Sequence, residues 1–245
     1  MEPLRIDIWS DIACPWCYVG KRRLEAALEA SPEGNAYRVH WHAFELDPSA
    51  PRQVGGGTQA ERLARKYGTS VAQAQARMDH LAQLAKAEGL SFDFDRLRPG
   101  NTFDAHRVLR LAAAKGLEDA VEERFFRGYL CEGEAIGEQS VLVRLAAEAG
   151  LDADEVQATL ASDAYAAEVR ADERDAARLG VTGVPFFVIA GRYAVAGAQP
   201  SALLAQALER AHAELAPERF PGLDGVACGP EGCEVPAGAQ GSGDA

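Results

Sequence analysis

Two cysteine pairs stand at spacings that let their sulfurs meet. In Cys14-Pro15-Trp16-Cys17 the thiols are three residues apart. At the start of a helix such residues share one side, so the sulfurs can bridge without unwinding the chain. Ser10-Asp11-Ile12-Ala13 leads into that helix, with Pro15 near its first position, where a missing N–H does no harm. Converging N–H groups and the helix dipole favour a thiolate at Cys14. Cys17 falls on the apolar face with Gly20, Leu24, Ala27 and Leu28 and is the expected shielded partner. The predicted chemistry is attack by Cys14 on a substrate disulfide and resolution of the mixed disulfide by Cys17. Half of a zinc site is the other use of such a pair. It needs two more ligands, and the other cysteine pair is looser and more than 200 residues away. No metal is expected.

That second pair is Cys228-Gly229-Pro230-Glu231-Gly232-Cys233. Glycine and proline inside the loop permit a tight turn that brings the sulfurs together. The stretch from Ala213 to Cys228 spans up to ~50 Å when extended, enough to reach back toward Cys14. An auxiliary redox pair exchanging with Cys14 and Cys17 is the expected role, with a structural clip or a metal pair as alternatives. Cys131, alone before Glu132-Gly133 at a helix end, reads as a buried structural residue. His40 and His42 lie two apart on a strand and read as strand surface. His106 could line a substrate groove or sit satisfied in the core.

The elements that must hold these residues follow from periodicity. Leu4, Ile6 and Ile8 alternate with Arg5, Asp7 and Trp9 as a half-buried strand, and Tyr37 to Phe44 forms a second. Pro51 to Gly57 is a linker. Alanine-rich helices follow: a stripe of Val71, Ala74, Met78, Leu81 and Leu84 closed by Gly89, then a helix capped by Asn101-Thr102 and ending at Gly116. Val121, Phe125 and Leu130 mark the next, and Val141, Leu142 and Leu145 one stopped at Gly150. Asp152 and Asp163 open two more, the last ending near Gly180. Strands return at Phe186–Ile189 and Tyr193–Val195, joined by an Ala190-Gly191 turn, and Pro200 starts a final helix. The expected class is α/β, a thioredoxin fold interrupted by a helical insertion domain. Residues 1–50 and 181–213 form the thioredoxin-like part, 51–180 the helical insertion and 214–245 a tail.

The 245 residues carry 25 basic and 37 acidic side chains, a formal charge of -12. Such a balance argues against nucleic acid or anionic lipid as the main partner. No apolar run approaches the ~20 residues of a membrane helix. The first nine residues show no basic and apolar export pattern, so a cytoplasmic protein is expected. The acidic excess, spread along helices, reads as solvated faces.

Cys14-Pro15-Trp16-Cys17 after a strand, a helical insert, and Gly180-Val181-Thr182-Gly183-Val184-Pro185-Phe186 together resemble the DsbA family. His42-Ala43-Phe44-Glu45-Leu46-Asp47-Pro48, Asn101-Thr102-Phe103-Asp104-Ala105-His106-Arg107 and Gly197-Ala198-Gln199-Pro200 look like its FrnE branch. The resemblance implies a cis peptide bond before Pro185, facing the cysteines, and backbone hydrogen bonds from Val184 to bound peptide. Pro15, Trp16 and His106 would join Val184 and Pro185 in contacting substrate. It further implies protein disulfide or thiol substrates and an external thiol reductant, with no organic cofactor. The branch is also similar to 2-hydroxychromene-2-carboxylate isomerases and kappa-class glutathione transferases, which typically carry serine where Cys14 stands. A glutathione-dependent small-molecule isomerase or transferase is therefore the alternative activity.

Overall fold

The computed structural model describes residues 3–32 and 34–215, together with the backbone of 228–229 and 232–233. Strand β1 (Leu4–Ser10) leads into helix α1 (Pro15–Ala30) and strand β2 (Tyr37–Ala43). Seven helices follow before the sheet resumes: α2 (Gln59–Tyr67), α3 (Val71–Ala87), α4 (Phe103–Ala114), α5 (Glu118–Glu132), α6 (Gln139–Glu148), α7 (Ala153–Leu160) and α8 (Ala166–Arg178). Strands β3 (Phe186–Ile189) and β4 (Tyr193–Ala196) and helix α9 (Ser201–Leu215) complete the order. The sheet runs β2-β1-β3-β4. β1 is parallel to β2 and antiparallel to β3, with Ile8 opposite both Trp41 and Phe187. This is a thioredoxin fold with a helical insertion between β2 and β3.

Strand alternation explains the layering. Ile6 and Ile8 of β1 and Phe187 and Ile189 of β3 point to one face, where they pack on Leu24 and Ala27 of α1 and Leu204, Leu208 and Ala211 of α9. Trp9, Phe186 and Val188 point to the other face, against Ala176 of α8 and Val181. The largest cluster joins Ile12, Cys14, Cys17 and Tyr18 to the inward faces of α3–α7, including Leu109, Phe125, Phe126, Leu130 and Leu145. The cysteine-bearing end of α1 is thus embedded in the helical insertion. Among the described residues no helix is long and apolar enough to cross a membrane.

Some local expectations need correction. The sequence reading has no element between Gly57 and Val71, yet α2 forms there. Thr58 accepts from the Glu61 N–H while Glu61 reaches back to Thr58, a full capping box, and Gly68 ends the helix at φ 64°. In α3 the inward stripe is Ala74, Met78, Leu81 and Ala85, and Val71 is exposed. The cap ahead of α4 comes from Asn101, whose Oδ1 accepts from the Phe103 N–H at 2.9 Å, while the Thr102 side chain makes no capping bond. α8 starts later than Asp163 predicts, after Tyr165 takes up a left-handed backbone at φ 61°.

Candidate functional site

The turn after β1 sets the site. The Asp11 carbonyl accepts from the Cys14 N–H at 2.9 Å, and the Cys14 carbonyl accepts from the Cys17 N–H at 3.0 Å. Cys14 is thereby the N-cap of α1, with extended backbone (φ -95°, ψ 108°), and Pro15 opens the helix. The first turn of α1 holds no acidic residue, and the Cys14 side chain makes no capping hydrogen bond to it. The Asp11 carboxylate braces this turn, accepting from the N–H groups of Ala13 (3.2 Å) and Leu46 (2.7 Å).

Cys14 is 5% exposed and Cys17 1%, and neither is in a disulfide. Burial pushes the Cys17 thiol well above the ordinary cysteine range, and the neighbouring Cys14 adds to that rise. The Asp11 backbone and the Ser10 side chain pull the other way. Opposite the pair, the Val184–Pro185 bond is cis, and the Cys14 thiol donates to the Val184 carbonyl at 3.5 Å. Gly20 permits this approach. A Cβ there would lie 2.9 Å from Pro185 Cγ and 3.2 Å from Phe187 Cζ. Trp16 lies beside the pair at the surface, 38% exposed.

His106 does not line a groove. It is 3% exposed, and its Nε2 stands 3.5 Å from Asp11 Oδ1, an ionic contact that falls short of hydrogen-bond geometry. Burial opposes its protonation, but Asp11, Glu122 and Glu45 together raise its pKa. The reason for the correction is helical phase: position 106 on α4 turns toward the core with Ala105 and Leu109. Two resemblance-bearing segments meet here, since Asn101 Nδ2 donates to Glu45 Oε1 at 3.0 Å.

His42 departs from the strand-surface reading. Its Nε2 lies 2.6 Å from Asp7 and its Nδ1 2.9 Å from Asp172 of α8, and its ring stacks on Trp9 at 4.6 Å. Cys131 packs half-buried against the large core cluster, and burial raises its pKa. The backbones of Cys228–Gly229 and Gly232–Cys233 pair as a two-residue antiparallel ladder. The side chains of Cys228 and Cys233, and so their expected exchange with Cys14 and Cys17, lie outside the described residues.

Sequence reasoning passed over Ser10, Asp11 and Glu122. Ser10 Oγ donates to Glu122 Oε1 at 3.1 Å, and Glu122 is 1% exposed. Burial lifts its carboxyl to about 8, against the lowering influence of His106, Ser10 and Lys21. A signal existed: Glu122 is four and seven residues before Phe126 and Tyr129, on the apolar face of α5.

Residues 5–209 match the family model for the DSBA-like thioredoxin domain. The chain is 27% identical over 188 residues to the Bacillus subtilis (strain 168) protein YwbO, covering 76% of this chain and 86% of that one. A probable DsbA oxidoreductase of Streptomyces coelicolor is 48% identical in sequence and superposes with a TM-score of 0.83, over 95% of this chain and 99% of that chain. The cytosolic disulfide reductase DsbM of Pseudomonas aeruginosa, solved with GSH, shares the fold at 24% identity and a TM-score of 0.57, over 86% and 97% of the two chains. A 2-hydroxychromene-2-carboxylate isomerase does so at 18% and 0.61, over 87% and 100%.

Proposed function

Because the chain belongs to the DsbA-like thioredoxin-domain family, we propose that it is a cytoplasmic protein thiol–disulfide oxidoreductase, acting as a reductase or isomerase of protein disulfides. The observation that carries this reading is the asymmetry of the two thiols. Cys14 caps a helix and faces the Val184 carbonyl, whereas Cys17 is enclosed and its thiol is held protonated by burial. A nucleophile and a resolving partner need that difference.

In the proposed cycle the Cys14 thiolate attacks one sulfur of a substrate disulfide, and the other substrate sulfur leaves as a thiolate. Cys17 then loses its proton and attacks Cys14 Sγ. This breaks the mixed disulfide, forms the Cys14–Cys17 bond and releases the second substrate thiol. The substrate gains two electrons and the enzyme loses two. An external thiol reductant returns the enzyme to the dithiol, with no organic cofactor. When a substrate thiol attacks the mixed disulfide first, the outcome is isomerisation. Val184 and Pro185, facing the pair, would align an extended peptide, with Pro15 and exposed Trp16 as apolar contacts. Cys228 and Cys233 would pass electrons to or from this pair as an auxiliary dithiol.

The test is dithiothreitol-driven reduction of insulin by the wild type and by Cys14→Ser. Acceleration by the wild type that disappears in the variant supports the proposal. No acceleration by the wild type overturns it in favour of a glutathione-dependent isomerase or transferase acting on small molecules, an activity hosted by the same fold.

A further inference from the structure

Two of the large apolar side chains left exposed among the described residues belong to one turn, Trp16 at 38% and Leu46 at 37%. They come from different elements, α1 and the loop after β2. One buried carboxylate ties that loop to the cysteine turn. Asp11, 1% exposed, accepts the Ala13 N–H through Oδ1 at 3.2 Å and the Leu46 N–H through Oδ2 at 2.7 Å. His106 Nε2 adds an ionic contact 3.5 Å from Oδ1. Ala13 directly precedes Cys14, so the Leu46 backbone is fastened to the turn that carries the nucleophile. The Phe44 N–H donates to the Ser10 carbonyl at 3.0 Å, and Phe44 and Val184 pack against the same cluster.

The acidic neighbours of Leu46 are engaged elsewhere. Glu45 Oε2 pairs with Arg170 at 2.5 Å, and its Oε1 accepts from Asn101 Nδ2 at 3.0 Å. Asp47 Oδ1 accepts from the Ser49 N–H at 3.1 Å and the Ser49 hydroxyl at 2.7 Å. A single exposed leucine needs no explanation of its own. A buried carboxylate does, because its removal from water is costly. Here both of its oxygens serve N–H groups that hold an apolar side chain beside the thiol.

We propose that Leu46 is a substrate-contacting residue and, with Trp16, selects protein disulfides whose reacting cysteine is flanked by apolar side chains. The inference rests on the disulfide-exchange reading above and names the substrate class of that site. Cys14 is only 5% exposed, so a substrate sulfur reaches it only when the neighbouring substrate residues lie on the surrounding rim. An apolar side chain gains there by losing water together with Trp16 and Leu46, whereas a carboxylate loses water without finding a partner. Cysteines with apolar neighbours are interior in folded proteins. The favoured substrates are therefore incompletely folded chains.

The experiment compares two peptides, each with one cysteine joined by a disulfide to nitrothiobenzoate. Leucine flanks the cysteine on both sides in one peptide, serine in the other. The reduced full chain carries Cys131→Ser, Cys228→Ser and Cys233→Ser in all samples, which leaves Cys14 and Cys17 as its thiols. The Cys14 thiolate attacks the peptide sulfur, and the coloured nitrothiobenzoate anion leaves with the electron pair. Cys17 then displaces the peptide as a thiol and closes the Cys14–Cys17 disulfide. Rates are divided by those of dithiothreitol with the same peptide. The wild type should prefer the leucine peptide on the order of 30-fold in kcat/KM, and Leu46→Ser should reduce that preference about 10-fold. The loss should fall on KM, with the serine peptide little affected. Leu46→Met restores apolar surface and should keep most of the preference. Leu46→Gln is read by the same ratio and decides the matter if Leu46→Ser does not fold. A wild type without preference, or a preference that survives both polar variants, overturns the proposal. Equal slowing with both peptides overturns it too, by making Leu46 a support of the turn alone. A wild type that releases nitrothiobenzoate from neither peptide overturns the disulfide-exchange reading itself, and the proposal with it.

Discussion

Replacing His42 by phenylalanine should cost stability in a way that depends on pH. The ring bridges Asp7 of β1 and Asp172 of α8 and stacks on Trp9. Phenylalanine keeps the stack and removes both polar contacts. Each charge-assisted hydrogen bond is worth about 1.5–3 kcal/mol, which sets an upper range of about 3–6 kcal/mol for the pair. The carboxylates, however, are not orphaned. Asp7 retains Arg5, with Nε at 2.6 Å, and Asp172 retains Arg110 at 3.2 Å and the Ala43 N–H at 3.0 Å. Because those partners persist, the lower part of the range applies, about 3 kcal/mol.

The sign follows from the histidine. Burial opposes protonation of His42, but Asp172 and Asp7 outweigh it and raise the pKa above 6.5 in the folded protein. Its stabilisation is therefore complete below the unfolded value and is lost as pH rises through the folded one. Urea unfolding at about pH 6 and about pH 9 measures this. The difference between wild type and His42→Phe should be largest at the acidic end and shrink at the alkaline end, at no more than ~1.4 kcal/mol per pH unit. Other groups titrating in that range, including Glu122 and His106, cancel in the difference. A penalty independent of pH, or one that grows with pH, would refute the assignment of a charged bridging histidine.

Two further substitutions test the packing around the site. Gly20→Ala pushes a Cβ to 2.9 Å from Pro185 Cγ. The added helix propensity, about 1 kcal/mol, does not offset overpacking of about 1–3 kcal/mol, so net destabilisation is expected on thermal unfolding. Displacement of Pro185 relative to Cys14 should also slow insulin reduction on the order of 10- to 100-fold; wild-type kinetics would show that the contact relaxes harmlessly. Arg107→Met keeps the buried stem of a guanidinium that donates to the carbonyls of Ala164, Thr159 and Ser162 and to Asp104. Leaving those acceptors unpaired should cost about 3 kcal/mol or more in urea unfolding, and a loss below 1 kcal/mol would show that water replaces the arginine.

The legible parts of this chain were those where a local pattern meets a local cause. Alternation in Leu4–Trp9 and the apolar run Phe186–Ile189 marked the strands, and the spacing of Cys14 and Cys17 marked the thiol pair at the start of α1. The capping box at Thr58–Glu61 was equally local, but it begins a helix of low apolar content, so a search for apolar stripes passed over α2. The harder residues act through partners far along the chain. His42 meets a carboxylate 130 positions away, and Ser10 meets one 112 positions away. No window of sequence contains both members of such a pair. Glu122 was further hidden among Glu118, Asp119 and Glu123, an acidic run that reads as solvated although one member faces inward.

The strand order carries a consequence for biosynthesis. β1 lies between β2 and β3, so one side of it is satisfied as soon as Ala43 has been made, while the other waits for Ile189. At ~5–20 residues per second the ribosome takes roughly 7 to 30 s over the interval. During that time β1 presents an open edge of backbone donors and acceptors, with the Cys14 and Cys17 thiols beside it and no Pro185 loop to screen them. The helices synthesised in the meantime pack against Ile12, Cys17 and Tyr18. The nascent insertion can therefore shelter the thiols before the sheet closes.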